Sequence, residues 1–180
     1  PHNPTGKVFT REELQQIGEL ARRSDALIVS DEVYEHLVYP PARHLPPATL
    51  PGLQDRTLTI SSGGKTFSLT GWKVGWALGP QPLVSAVQKV HQWVTFATAS
   101  PLQAAMAVAL DLPDAYFEGL VRDYQARRDF LQGALARARL EVLPCEGSYF
   151  LMARTAALHH AAPNHGGDRP QACEAGRFPG

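Results

Sequence analysis

Ser61-Ser62-Gly63-Gly64-Lys65-Thr66-Phe67-Ser68-Leu69-Thr70-Gly71-Trp72-Lys73-Val74-Gly75-Trp76 places Lys65 and Lys73 in one short stretch, although only Lys7 and Lys89 share their residue type elsewhere in the chain. Thr57 to Ser61 alternates as a strand does, and the Gly-Gly turn after it lets backbone and ligand approach closely. Val74 to Leu78 predicts a further strand, closed by Gly79-Pro80. A lysine set at the end of a strand behind such a turn needs a reason beyond solvation.

Upstream, Pro1-His2-Asn3-Pro4-Thr5-Gly6 is turn chemistry, with two prolines fixing φ and Asn and Gly tolerating positive φ. Thr10 and Glu13 form a capping box that opens a helix, with Leu14, Ile17, Leu20 and Ala21 expected on one face. Ala26 to Ser30 is a short, continuously apolar run, as in a strand buried on both faces, and Asp31 stands at its carboxyl end. Pro40 to Gly52 is rich in proline and reads as a loop. Helix followed by buried strand implies βαβ units, an α/β fold and a mostly parallel sheet.

Downstream, helices are expected over Pro82 to about Val94 and Pro101 to about Leu112, and a long one from about Asp114 to Ala138. The long one carries Tyr116, Leu120, Tyr124, Leu131 and Leu135 at helical spacing. Leu140 to Leu143 and Ser148 to Met152 read as a β pair joined through Pro144 and Gly147. This divides the chain into a large-domain part over 1–112, an interdomain helix over 113–138, the start of a small α+β domain over 139–154, and a divergent, disordered tail over 155–180.

The 180 residues, 44% of them hydrophobic, suffice for one core or for one domain and part of a second. A net charge of zero gives no cause to expect nucleic acid or an acidic membrane as partner. No apolar run reaches the ~18 residues of a membrane span. Two cysteines, Cys145 and Cys173, without a leader fit a reducing, cytoplasmic setting. His159, His160, His165 and Cys173 match no zinc spacing, so no metal site is expected.

A site built on pyridoxal 5'-phosphate needs an amine that forms a Schiff base and moves a proton, and a carboxylate that keeps the pyridine nitrogen protonated. It also needs hydrogen-bond donors for the ring's O3′ and a cationic, NH-rich pocket for the phosphate. Lys65, Asp31, Tyr34, Asn3, Ser62 and Lys73 are side chains of the required kinds. The blander reading makes Asp31 a helix cap, Tyr34 a packed aromatic, Asn3 an Asx turn and Lys65 a surface lysine. Trp72, Trp76 and Trp93 read as core or interface rather than substrate stackers.

Together Pro1-His2-Asn3-Pro4-Thr5-Gly6, Asp31-Glu32-Val33-Tyr34 and Ser61 to Trp76 resemble, in order and spacing, the class I/II pyridoxal-phosphate-dependent aminotransferases of fold type I. The likeness is to the kynurenine/glutamine and methionine aminotransferase branch and runs from about Pro1 to Met152. It implies an aspartate aminotransferase-like large domain, with Lys65 as the Schiff-base lysine and Asp31 on the pyridine nitrogen. Tyr34 and Asn3 match the groups that bond O3′, Ser62 and Lys73 match phosphate contacts, and Val33 would pack beneath the ring. Many relatives carry arginine where Lys73 stands; lysine keeps the charge and gives up the bidentate fork. The resemblance implies transfer of an amino group from an L-amino acid to a 2-oxo acid by a homodimeric parent.

The family's upstream phosphate loop and ring-stacking aromatic do not stand in this chain, and after Met152 the match gives way to an Ala/His/Pro/Gly-rich stretch. A break of reading frame or truncation near Thr155, and an incomplete amino end, are therefore expected, as is a chain that is poorly stable and inactive alone. Two alternatives remain: a carbon–sulfur β-lyase on the same scaffold, and a non-catalytic remnant. An ordinary nucleotide-binding module lacks support, because there is no Gly-x-Gly-x-x-Gly and no Walker loop.

Overall fold

The structure, a computed structural model, describes residues 1–155. Helix α1 spans Arg11–Arg23 and opens with the expected capping box. The Thr10 amide donates to Glu13 Oε2 at 2.8 Å, and the Glu13 amide donates to Thr10 Oγ1 at 3.3 Å. Two otherwise unpaired helix-end donors are thereby satisfied. The buried face is Leu14, Gly18 and Ala21, whereas Leu20 stays 60% exposed. The reason is packing: Leu53 presses on Gly18, where a Cβ would lie 2.7 Å from a Leu53 methyl. The inner face is thus set by a glycine that the apolar count passes over. Arg56 closes the helix end, donating to the carbonyl of Ala26 at 2.9 Å.

Strand β1 is Ile28–Asp31, β2 is Thr57–Ser62 and β3 is Gly75–Leu78, in the order β1-β2-β3. β1 and β2 run parallel, with Ile28 beside Thr57 and Asp31 beside Ile60. β2 and β3 run antiparallel, with Thr59 beside Leu78 and Ser62 beside Gly75. The α/β fold is therefore as expected, with one parallel and one antiparallel pairing among the described residues. The loop between β1 and β2 folds back over α1, and Leu14, Leu50 and Leu53, joined by Ile28 and Leu45, make a small core there.

Burial of the first strand on both faces does not hold within this chain. Val29 is 64% exposed, and Leu27 is exposed with it. The apolar run is real, but among the described residues nothing covers that side of the sheet.

A four-residue helix, α2 (Gly63–Thr66), follows β2 and was not expected from the sequence; α3 covers Gln81–Val94, α4 Ser100–Leu110 and α5 Asp114–Arg137. These last three lie within two residues of their expected starts and ends. Prolines at 82 and 101 sit in the first turns of α3 and α4, where a missing N–H costs nothing. Trp93, expected in a core or interface, is 86% exposed at the end of α3, close to Val94 and Phe96, which are also exposed. Of the final β pair, β4 (Glu141–Val142) forms, but its partner is β5 (Ala153–Arg154) and not Ser148–Met152. The stretch from 145 to 150 crosses instead to the first half of the chain, with Val38 bridging Gly147.

Apolar surface left open on this scale has a direct consequence. The 180-residue chain by itself should bind a hydrophobic dye such as ANS and self-associate in sedimentation velocity as its concentration rises. A monodisperse monomer that leaves the dye dark contradicts this.

Candidate active site

Asp31 closes β1, and its Oδ1 accepts from the Val33 amide at 3.2 Å. That bond turns the chain out of the sheet, so Glu32 and Tyr34 point inward while Val33 is half-buried. Glu32 is buried: its side chain pairs with His44 Nε2 and accepts from Ser30 Oγ at 2.8 Å, and its amide donates to the Ile60 carbonyl at 2.8 Å. Burial pushes the Glu32 carboxyl up. His44 and then Ser30 outweigh it, so the net direction is down. Beside it Ser61 Oγ donates to Glu35 Oε1 at 2.8 Å. These bonds fix both the Asp31–Tyr34 turn and the end of β2.

Ser62 caps α2 by accepting from the Gly64 amide at 3.3 Å, and Thr70 Oγ1 donates to the Gly64 carbonyl at 2.7 Å. Gly63 lies directly against Met106 of α4, with no room for a side chain. Lys65 is thereby held one helical step beyond the sheet. Lys73 adopts a left-handed backbone at φ +56°, as do Ser68 at +56° and Ser148 at +62°. For residues with a Cβ each such angle costs on the order of 1 kcal/mol or more. Ser62, Gly64, Lys65 and Lys73 line one cavity of about 850 Å³, walled on its other side by Val84, Val87 and His91 of α3.

The structure brings a further residue to Lys65. Tyr149 places its ring centroid 5.7 Å from Lys65 Nζ and 5.3 Å from the Tyr34 ring, edge to face. Tyr34 is buried and its hydroxyl has no hydrogen-bond partner among the described residues. Burial, and then Tyr149, push that phenol up. Thus Ser62, Lys65 and Lys73 meet in one cavity, and Tyr34 joins Lys65 through Tyr149. Asp31 stands at the neighbouring strand end, outside the cavity lining. Asn3 is exposed in its turn, tied to the site only through Gly6, whose carbonyl accepts from the Glu146 amide at 2.9 Å.

Tyr149, Glu32 and His44 were not singled out from the sequence. Tyr149 looked like one position of an alternating strand, and its contacts with residues 34 and 65 leave no mark in local spacing. Among the described residues no cluster of three His, Cys, Asp or Glu side chains could hold a metal; His159, His160, His165 and Cys173 lie outside them. Likewise no helix among the described residues is long and apolar enough to cross a membrane.

A family model for aminotransferase class I and II matches residues 1–166. The chain belongs to that family. Among relatives of this aminotransferase-family chain, kynurenine–oxoglutarate transaminase of Dictyostelium discoideum is 44% identical over 163 residues, covering 88% of the chain and 38% of the relative. The solved N-succinyldiaminopimelate aminotransferase of Mycobacterium tuberculosis superposes with a TM-score of 0.86 at 44% identity, over 88% of this chain and 41% of that one. The methionine aminotransferase YbdL of Escherichia coli gives 0.83 at 37% identity, over 88% and 41%. The kynurenine and methionine branch expected from the motifs is therefore the one found. The chain spans about two fifths of the length of these relatives.

The Glu32 carboxylate yields a signed expectation. Because its folded value lies below the ordinary one, its contribution is present above the ordinary glutamate range and is lost as pH falls through the lowered value. Urea unfolding followed by circular dichroism should show wild-type stability declining below about pH 4.5. Glu32→Gln should lower stability at neutral pH and flatten the acid decline by up to about 1.4 kcal/mol per pH unit. Equal acid slopes in the two proteins contradict the pairing.

Proposed function

We propose that this chain is the cofactor-binding part of an aminotransferase that moves an amino group from an L-amino acid to a 2-oxo acid, with pyridoxal phosphate attached at Lys65. The observation that carries the reading is the Tyr34 hydroxyl: buried, without a partner among the described residues, and one aromatic ring away from the Lys65 amine. A buried polar hydrogen left unpaired costs about 1–3 kcal/mol, and the cofactor's O3′ would take this one up. The donor set fits the cofactor in kind: a hydroxyl, the Lys65 amine and the Lys73 ammonium line one cavity, with the Asp31 carboxylate at the neighbouring strand end.

When bound, pyridoxal phosphate supplies an electron sink for the pair of electrons released at the substrate Cα. The residues of this chain do the rest. Asp31 would hold the proton on the pyridine nitrogen, which keeps that sink deep. Tyr34 and Asn3 would donate to O3′, Val33 would pack beneath the ring, and Ser62 and Lys73 would take the phosphate, the first by its hydroxyl and the second by charge. Lys65 Nζ would carry the proton from the substrate Cα to C4′, a transfer that needs the amine on one face of the ring. The wall of apolar side chains from α3 would limit water at the cavity.

The domain reading belongs to the same proposal: a large-domain part over 1–112, a joining helix over 113–138 and the beginning of a small domain over 139–154. Its support is α5, which runs for 24 residues, and the two-stranded β4–β5 sheet separate from the first. A homodimeric parent follows from the family resemblance, and a cytoplasmic setting accords with the free thiol of Cys145.

Incubation with pyridoxal phosphate, reduction with borohydride and peptide mapping test the assignment. A single adduct on Lys65, absent in Lys65→Ala, is expected. Labelling spread over Lys7 and Lys89 contradicts it. In the parent enzyme, a 2-oxo acid that keeps the donor's side chain supports transamination, whereas release of thiol with pyruvate and ammonia from a cysteine conjugate points to the β-lyase.

A further inference from the structure

Tyr149 is fixed from three sides. Its ring meets Tyr34 edge to face at 5.3 Å, lies on Tyr124 of α5 at 5.9 Å and tilts against Phe150 at 4.7 Å. Ser148 beside it is fully buried at a positive φ, and its amide donates to the Leu37 carbonyl at 2.8 Å, while Tyr149 itself stays 38% exposed. The Lys65 amine faces this ring at 5.7 Å.

The two phenols of the cluster are driven apart. Burial raises Tyr34, and Tyr149 raises it further. Burial also pushes Tyr149 up, but the Lys65 ammonium beside it outweighs this and leaves it below the ordinary phenol range. Neighbouring titratable groups whose surroundings separate them take different roles. Tyr34 keeps its proton, while Tyr149 is the phenol whose ring lies 5.7 Å from the Lys65 amine.

We infer that Tyr149 is a positioning residue for Lys65: its hydroxyl holds the lysine amine beside Tyr34 whenever that amine is free, and so fixes the side from which it acts. This rests on Lys65 being the cofactor lysine. No position in the three sequence motifs supplies such a group, and none of the residues already assigned to the cofactor does this work.

Two measurements on the dilute chain decide it. In an ultraviolet titration of tyrosinate without cofactor, one tyrosine should ionise below the ordinary phenol value of about 10. That early step should vanish in Tyr149→Phe and move upward in Lys65→Met. Second, borohydride-trapped labelling of Lys65 by pyridoxal phosphate should slow on the order of tenfold in Tyr149→Phe, the effect of one lost charge-assisted hydrogen bond. The absence of an early-ionising tyrosine, its persistence unchanged in Lys65→Met, or labelling of Tyr149→Phe at the wild-type rate each overturns the inference. Lys65→Met leaves the rings packed, so the titration decides even where Tyr149→Phe folds poorly. If wild-type Lys65 takes up no cofactor, the cofactor assignment fails and the titration still tells whether the two side chains are paired.

Discussion

The short crossing at Cys145–Ser148 holds the site together. Glu146 is bonded three times to distant backbone: its amide donates to Gly6, its carbonyl accepts from Tyr39, and its carboxylate accepts from the Val8 amide at 3.0 Å. Tyr39 hydroxyl donates to the Ser148 carbonyl at 2.5 Å, and Arg128, lying 4.4 Å over the Tyr39 ring, donates to the Cys145 carbonyl at 3.1 Å. One strip of chain thus ties the amino-terminal turn, the segment after Tyr34 and helix α5 into one unit. Close approach demands glycine twice here: a Cβ on Gly6 would meet Cys145 Sγ at 2.7 Å, and one on Gly147 would meet the Leu37 carbonyl at 2.7 Å. Without this crossing Tyr149 has no route to Lys65.

Apolar packing in this chain is uneven. Leu14, Leu50 and Leu53 cluster, and Leu37, Tyr39, Leu58, Val74 and Met106 are also buried, while Val29, Ile60 and the end of α3 lie open. Near the strand ends buried polar groups are paired: Glu32 with His44 and Ser30, Ser61 with Glu35. Against that background an unpartnered Tyr34 hydroxyl stands out, since buried polar groups find partners as a rule. The same environment raises one phenol and lowers its neighbour, which separates a permanent donor from an acceptor.

Much of this was legible in the sequence, because the signals were local. The Thr10–Glu13 box, the prolines opening α3 and α4, and the strand ending at Ser62 each depend on residues a few places apart. Lys65, Asp31 and Tyr34 stand out for a different reason: they occur in motifs whose order matches a known family. What stayed hidden depends on contacts across the chain. Gly18 faces the core only because Leu53 fills its place, and the strand expected at Ser148–Met152 is displaced because Gly147 pairs with Val38. Tyr149 was lost with that strand, and Glu32 was passed over because a buried carboxylate shows itself only through a partner twelve residues on.

The central claim is that Lys65 and the unpartnered Tyr34 hydroxyl belong to one cofactor site. A crystal structure of the parent protein grown with pyridoxal phosphate tests it most directly. The account predicts electron density continuous from the ring's C4′ into Lys65 Nζ, with Tyr34 donating to O3′. Cofactor density joined to another lysine, or a Tyr34 hydroxyl still without a partner in the loaded site, would contradict it.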